Sequence, residues 1–414
     1  MADTTYGHAF SGNFPKVMFR KAWLQSIKSG FWGRFGKFST PYEKPVAKGN
    51  MPNPVNSPVV FQHELEKAGG DMLEIPCLRN LNDIPRLGNE QMKDHEERMK
   101  VNFVHIPIEL WRHGALPVDG SMSKRRNEVD LVKWAKPSLQ NHYVRTNDYL
   151  GASYAMYYGY SYNTITSGAF SAETYHGQST LHPHIFCAGS GKVSYDGDYP
   201  GNSGYESDVA EAVAALGASD VFDTKFLDSL KAEDVVERIN PIVMHDGNEM
   251  RLIVVHPYQI YTLTQDTKFR ELVSRTMAQD YAKNNPLLVG CKYIYEGFAI
   301  FVNPVSVFQV SSDGTTATFG PSTVTNLDSF ESYSSATAFA AMLLGDNALF
   351  KGTGEQYEYR KRTDDYGEVE GIIWRAVEGW SRGDFWNRDD GDTGQYLINE
   401  GSAILITQAS KPSY

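Results

Sequence analysis

The chain has 414 residues, of which 41% are hydrophobic and 21% charged, and its formal net charge is −11. This length supports two or three domains with hydrophobic cores, and the composition excludes a fibrous, collagen-like or wholly disordered protein. The acidic balance disfavours a sequence-specific nucleic-acid reader, because binding to phosphates needs a basic face.

Residues 1–60 are predicted to form an N-terminal arm. Gly and Pro interrupt this segment so often that no long helix or central strand is expected there. The first 50 residues hold eight Lys and Arg against two acidic residues, whereas residues 364–414 hold ten acidic against four basic residues. One hypothesis is that the basic arm of one copy lies on acidic surface of another. The alternative is two differently solvated surfaces. The arm is also rich in aromatic rings, which need a surface to pack on.

A two-stranded ribbon is predicted next. Met72–Leu81 and Met99–Trp111 are rich in β-favouring residues, and the second segment alternates in part between apolar and polar positions. Asn89–Arg98, which lies between them, is strongly polar and is expected to be the projecting tip. Because an isolated hairpin is marginally stable in water, the ribbon would need a surface to lie on.

The clearest predicted helix is Gly120–Leu150. Ser121 or Ser123 could cap its start, and one face carries four apolar residues, Leu131, Ala135, Leu139 and Tyr143. Pro137 is expected to kink or split this helix, since proline removes a backbone hydrogen bond. Gly151 is expected to end it.

The rest of the chain mixes helices and strands without a regular βαβ order, which indicates an α+β fold. Residues 152–220 are rich in Tyr, Ser and Gly, and only short strands and loops are expected there. Further on, helices are predicted at Asp223–Ile239, Lys268–Ala282 and Ala336–Phe350, and strands at Met250–Val255 and Ala403–Gln408.

The sequence predicts a soluble protein that is not exported. Residues 1–36 contain no continuous apolar core of the kind a signal peptide needs. The longest apolar run, Ala338–Leu344, is too short to cross a bilayer. Three widely spaced cysteines, Cys77, Cys187 and Cys291, form no disulfide framework and are typical of a reducing compartment.

One group of residues could bind a metal ion. Imidazole and thiolate ligands suit zinc, and the group contains both, at His176, His182, His184 and Cys187. Its irregular spacing, with Pro183 between two of the histidines, matches no standard zinc pattern. Loop histidines that face solvent or form hydrogen bonds are favoured, and no metal or cofactor is predicted.

A second motif resembles a hydrolase nucleophile. Gly379-Trp-Ser381-Arg-Gly383 has the spacing of a nucleophile elbow, which needs a strand before the serine and a helix after it. A strand is expected at Ile372–Val377, but a polar loop follows, and no histidine comes after Ser381 to complete a triad. A serine in a turn is favoured, and no catalytic residue is predicted.

Several segments carry a family resemblance as an ordered set. They are Trp111–Ala115, Gly120–Leu131, Arg145–Asp148, Val254–Gln259, Asn284–Cys291, Tyr295–Ile300 and Ala341–Ala348. Together with the order of arm, ribbon and long helix, the set resembles the HK97-fold major capsid proteins of tailed bacteriophages, and most closely the type found in bacteriophage N4.

The resemblance implies an α+β, HK97-like capsid fold that is not an enzyme. Its parts would be residues 1–60 as the N-terminal arm, 61–115 as the extended loop, 116–151 as the peripheral domain with the spine helix, 152–350 as the axial domain, and 351–414 as strands returning to the peripheral domain. The arm and the ribbon tip would supply contacts between subunits, with the candidates Lys16, Arg20, Lys21, Trp23, Trp32, Arg34, Asn89, Glu90, Lys93, Asp94, Glu96, Glu97 and Arg98.

The implied function is a major capsid protein that assembles as hexamers and pentamers into an icosahedral head around double-stranded DNA. The implied partners are other copies of the chain, the portal, scaffolding or decoration proteins, and packaged DNA without sequence preference; no membrane is involved. The protein would be located in the virion after assembly in the host cytoplasm.

Two other functions stay open on the sequence alone. One is a soluble β-rich hydrolase centred on Ser381 or on the group of His176, His182 and His184. The other is a non-viral binding or adhesion module that uses the Tyr- and Gly-rich middle of the chain.

Overall fold

A computed structural model describes residues 30–38, 57–62, 72–78, 101–119, 131–156, 160–163, 169–172, 182, 184–189, 203–232, 239–243, 249–275, 291–305, 308–314, 317–319, 323–324, 338–364, 369–387, 396–399 and 401–409. Within these ranges the helices are a 3-10 turn at Trp32–Arg34, α1 (Leu131–Met156), α2 (Ser203–Ala214), α3 (Thr224–Ala232), α4 (Pro257–Gln265) and α5 (Thr267–Arg275). None of these helices is long and apolar enough to span a membrane.

The strands follow in chain order. They are β1 (Gly36–Phe38), β2 (Val59–Gln62), β3 (Met72–Leu78), β4 (Val101–Pro107), β5 (Glu109–Asp119), β6 (Tyr160–Asn163), β7 (Ala169–Ala172), β8 (Ile185–Cys187), β9 (Ile242–Val243), β10 (Glu249–Val255), β11 (Tyr293–Tyr295), β12 (Phe298–Val302), β13 (Gln309–Ser312), β14 (Ala317–Phe319), β15 (Thr323–Val324), β16 (Ala338–Leu344), β17 (Leu349–Asp364), β18 (Val369–Arg382), β19 (Asp384–Asn387), β20 (Tyr396–Asn399) and β21 (Ser402–Gln408). Together with the helices they give the predicted α+β class.

A five-stranded sheet has the order β1-β2-β17-β18-β5. Strand β2 pairs in parallel with both β1 and β17, so Val59 lies between Gly36 and Leu349. The prediction that the first 60 residues contain no central strand is therefore wrong. Pro58 precedes β2, where its missing N–H costs the ladder nothing, and its carbonyl accepts a hydrogen bond from the Leu349 N–H.

The larger sheet has nine described strands, and β16 lies inside it between β21 on one side and β10 and β13 on the other. The helix predicted at Ala336–Phe350 is therefore wrong. All seven residues of β16 are buried, and alternate residues belong to two different core clusters. A strand covered on both faces has no polar alternation, so its sequence pattern cannot be told from that of a short buried helix.

The ribbon forms as predicted up to Pro107, whereas Glu109–Trp111, predicted as the end of its second strand, belong to β5 of the five-stranded sheet. Strands β3 and β4 pair antiparallel from Met72 opposite Pro107 to Leu78 opposite Val101. The predicted tip, Asn89–Arg98, lies outside the described residues.

The long helix differs from its prediction at its C-terminal end. The described helix begins at Leu131, and residues 120–130 lie outside the described part of the chain. Pro137 lies within the helix, which continues past Gly151 to Met156. The predicted apolar face is confirmed, since Ala135, Leu139 and Tyr143 are buried.

Two helices were missed. In the segment 152–220, α2 buries Val209, Ala210, Ala212 and Val213, whereas only strands and loops were expected. Helix α4 follows the predicted strand Met250–Val255 after a single residue, His256. There His256 is the N-cap and Pro257 takes the first helical position, where proline is favoured. Asp223 caps α3 as predicted, by accepting from the Phe226 N–H at 2.8 Å.

The two sheets meet across one continuous apolar cluster that includes α1, the five-stranded sheet and one face of the nine-stranded sheet. The other face of the larger sheet is covered by α3, α4 and α5. The last strand, β21, pairs with β16 in this larger sheet, whereas β17 and β18 belong to the five-stranded sheet. The domain boundary at residue 350 stays a prediction.

Candidate assembly elements

The end of the predicted arm is attached to the subunit's own body. The Phe31 N–H donates to Asp148 Oδ1 and the Trp32 Nε1–H donates to the Asp148 carbonyl, both at 2.8 Å. Trp32 is 1% exposed, and Phe35 packs edge-to-face on Phe301 of the larger sheet. The indole of Trp32 packs within its own subunit against Gly151 and Asp148 of α1, and its predicted role in contacts between subunits stays a prediction.

Ser57 fixes the second half of this attachment. Its hydroxyl donates to the Phe35 carbonyl at 2.5 Å, and its N–H donates to Asp346 Oδ1 at 2.8 Å. Burial raises the pKa of Asp346, while hydrogen bonds from the backbone N–H groups of Ser57 and Asn347 act in the opposite direction. Residues 30–38 and 57–62 thus belong to the subunit core.

The other arm candidates lie outside what the structure describes. This holds for Lys16, Arg20, Lys21 and Trp23, and for the side chain of Arg34. The ribbon-tip candidates Asn89, Glu90, Lys93, Asp94, Glu96, Glu97 and Arg98 also lie outside the described residues. All of them stay predictions.

The base of the ribbon is held by the five-stranded sheet. Val104 and Ile106 of β4 are fully buried and form a small apolar cluster with Val60 and Phe350. Gly379 of β18 lies so close to the Pro107 carbonyl that a side chain there would collide with it. The ribbon therefore leaves the body at a fixed position, which the sequence alone did not indicate.

Large apolar side chains are exposed in the ribbon, in β5 and in α1. Of the six that the described residues contain, four lie in the ribbon, in β5 or in α1: Met72 at 51%, Leu110 at 51%, Leu116 at 59% and Trp134 at 70% exposure. Strand β5 is also an edge of its sheet. Exposed apolar side chains beside an unpaired strand edge are typical of surfaces that pair with another chain.

Two of the weak metal-ligand candidates, His182 and His184, form hydrogen bonds within the subunit. His182 is fully buried, and its Nε2 lies 2.9 Å from Ser402 Oγ, while its Nδ1 accepts from the His184 N–H at 3.0 Å. His184 Nε2 lies 2.8 Å from the Asn399 carbonyl oxygen. Burial, with Arg382 and His184 nearby, holds the pKa of His182 well below its usual value. These histidines connect β8 to the turn before β21.

The remaining members of that group are Cys187 and His176. Burial raises the pKa of the Cys187 thiol to about 12, so without a metal ion this thiol stays protonated near neutral pH. His176 lies outside the described residues. Over the described part of the chain, no three His, Cys, Asp or Glu side chains are grouped as metal ligands would be.

Ser381 lies in a strand and not in a turn, which corrects the prediction. It pairs with Phe350 in the middle of the five-stranded sheet, is 3% exposed, and its hydroxyl donates to the Arg382 carbonyl at 3.1 Å. The glycines that gave the motif its pattern have packing reasons, since Gly383 lies against the Asn347 carbonyl as Gly379 lies against Pro107. No strand-to-helix elbow is present at Ser381.

A family model described as phage capsid protein matches residues 38–411, nearly the whole chain. The chain belongs to the phage capsid protein family. It is a major capsid protein, a structural component of the bacteriophage shell and not an enzyme, and the hydrolase alternative has no support. No curated protein matches the sequence.

Solved phage capsids share the fold. The capsid of Ralstonia phage GP4 has 17% sequence identity, and the match covers 91% of this chain and 98% of that chain with a TM-score of 0.61. The capsid of Cyanophage Pam1 has 15% identity, with 89% and 96% coverage and a TM-score of 0.55. The predicted HK97-like capsid fold is confirmed, and the narrower resemblance to the N4 type stays a prediction.

Proposed function

We propose that this capsid protein assembles as hexamers and pentamers into an icosahedral head that encloses double-stranded DNA. The family match over residues 38–411 carries the proposal. The exposed Leu110, Leu116 and Trp134 support it, because apolar surface of this kind is stabilised when another copy covers it. Interfaces of standard size bury on the order of 1,600 Å² each, and many such reversible contacts in a closed shell give high total stability.

The roles of the parts follow from where they are attached. The ribbon tip, Asn89–Arg98, would extend over an adjacent subunit from the base that Val104 and Ile106 fix. Residues 1–29 and 39–56, which flank the attached segments, would supply the remaining arm contacts. The basic residues of the arm would face acidic surface on a neighbour, so assembly should weaken as salt screens the charges.

Further partners are proposed from the capsid role alone. They are a portal at one vertex and scaffolding or decoration proteins, with assembly in the host cytoplasm. Packaged DNA would be met without sequence preference, and the net charge of −11 favours a surface that does not retain DNA strongly.

Deletion of Asn89–Arg98 tests the assembly role of the ribbon. A subunit that lacks Asn89–Arg98 should keep the circular dichroism spectrum of the intact subunit, since the described base of the ribbon is held by the five-stranded sheet. Electron microscopy of this variant should show no normal shells. Leu116→Ser should also reduce assembly, whereas Val243→Ser, at an exposed apolar residue far along the chain in β9, is the matched control. Normal particles from the deletion would refute the proposed ribbon contact.

A further inference from the structure

A lysine, an asparagine and a glutamate meet inside the subunit between α1 and the five-stranded sheet. Lys351 Nζ donates to Asn147 Oδ1 at 2.6 Å and lies 2.8 Å from Glu378 Oε2. The side chains of Lys351 and Glu378 are 1% and 2% exposed. Taking two such charges out of water is costly, and a buried ion pair is weak evidence for stability by itself.

The fold brings the three groups together from distant parts of the sequence. Lys351 of β17 pairs with Trp380 of β18, and Glu378 lies two residues earlier on the same face of that strand. Asn147 is one helical turn after Tyr143, whose hydroxyl donates to Glu378 Oε2 at 2.8 Å. The amine therefore lies between an amide and a carboxylate that the backbone holds in place.

Aromatic rings lie close to the amine of this group. Lys351 Nζ lies 5.7 Å from the ring centre of Tyr143 and 5.2 Å from that of Trp380. A small cavity of about 20 Å³, lined also by Trp32 and Phe61, adjoins Lys351 and Asn147 and can hold one water-sized molecule. Burial lowers the pKa of Lys351, although Glu378 acts in the opposite direction. The amine therefore loses its proton more readily than a lysine in water, and the neutral amine is the nucleophilic form.

We propose that Lys351 and Asn147 form an isopeptide bond within the subunit, with Glu378 as the proton-transferring group. The Lys351 nitrogen forms a bond to Asn147 Cγ, the bond from Cγ to Nδ2 breaks, and ammonia leaves. Glu378 accepts a proton from the amine and returns one to the leaving nitrogen, so no oxidant or other reactant is consumed. The Trp380 Nε1–H, which donates to Asn147 Oδ1 at 3.3 Å, stabilises the negative charge that develops on this oxygen.

Such a bond has a definite structural effect. It joins two residues that are 204 positions apart, and therefore connects α1 to the hairpin of β17 and β18 covalently. A cross-link over so long a segment stabilises the fold mainly by restricting the unfolded chain. The bond would form within one subunit, so it does not depend on the proposed contacts between subunits.

The mass of the denatured protein tests this directly. The intact protein should be lighter than its sequence by one ammonia, and tandem mass spectrometry of a digest should find the peptides of Asn147 and Lys351 joined. Lys351→Met and Glu378→Gln should restore the full mass. Lys361→Met, at an exposed lysine on the same strand, should keep the deficit.

Two results would overturn the proposal. One is a wild-type protein with its full sequence mass. The other is a mass deficit that persists in Lys351→Met, since a cyclised asparagine elsewhere also loses ammonia. The intact mass and the digest can both be measured on denatured protein, so a variant that folds poorly can still be tested. The digest of the wild-type protein tests the proposed bond without any variant.

Discussion

Trp32 shows whether the end of the arm belongs to its own subunit. Replacement by Ala removes an indole that is 1% exposed, with its hydrogen bond to the Asp148 carbonyl and its edge-to-face contacts with Phe31 and Phe35. Truncation of a buried aromatic side chain to Ala costs about 3–5 kcal/mol. We expect Trp32→Ala to lower the free energy of unfolding of the unassembled subunit by this amount.

Trp134→Ala is the matched control, because it removes the same side chain from a position that is 70% exposed. Surface substitutions change stability by about 0.5 kcal/mol or less. Urea denaturation of the purified, unassembled variants, followed by far-ultraviolet circular dichroism, measures both. In an assembly assay of the subunits that remain folded, Trp134→Ala should reduce shell formation more than Trp32→Ala does.

Equal stability of the two variants would refute this reasoning. It would mean that Trp32 is not enclosed by its own subunit in solution. That result would favour the predicted role of Trp32 in contacts between subunits.

Two further predictions concern α1 and a buried histidine. Gly151→Ala should destabilise the subunit by about 1–3 kcal/mol despite the better helix propensity of Ala, because the added Cβ would lie 2.5 Å from Trp32 Cδ1. Ser138→Ala, in the same helix, is the control. When Trp32 is also replaced by Ala, the destabilisation caused by Gly151→Ala should disappear. Burial lowers the pKa of His256 from 6.5 to about 4, so the unfolded chain binds the proton first on acidification. The contribution of neutral His256 to the free energy of unfolding, at most roughly 3 kcal/mol, should be fully present above pH 6.5 and be lost as the pH falls towards 4. Urea denaturation across this range should show a shallower pH dependence for His256→Asn, and an unchanged slope would contradict the assignment.

Local sequence patterns are sufficient to predict those helices and strands whose own residues show a clear periodicity or a capping residue. The apolar face of α1 at Ala135, Leu139 and Tyr143, and the capping of α3 by Asp223, follow from interactions within a few residues. The ribbon strands were also found, because β-favouring residues flank a polar segment that cannot be core. The capsid family followed from the order of several such segments.

Patterns failed where distant residues decide the conformation. Strand β16 is apolar throughout because neighbours cover both of its faces, and only those neighbours distinguish it from a helix. The local pattern predicts a helix end at Gly151, but this glycine lies inside α1, where Trp32 packs against it from more than 100 residues away. The local pattern likewise predicts a turn at Ser381, although the flanking glycines are required by the close approach of other backbone segments.

The amino-acid sequence alone determined the class, the family resemblance and the elements with local signals. Only the tertiary structure decided which parts of the arm are core, where β2 and β16 pair, and which polar groups meet inside the subunit. The physical reason is that burial and pairing are set by contacts between residues far apart in the chain. Lys351, Asn147 and Glu378 look ordinary in the sequence, and only the packing of α1 on β17 and β18 makes them one chemical group.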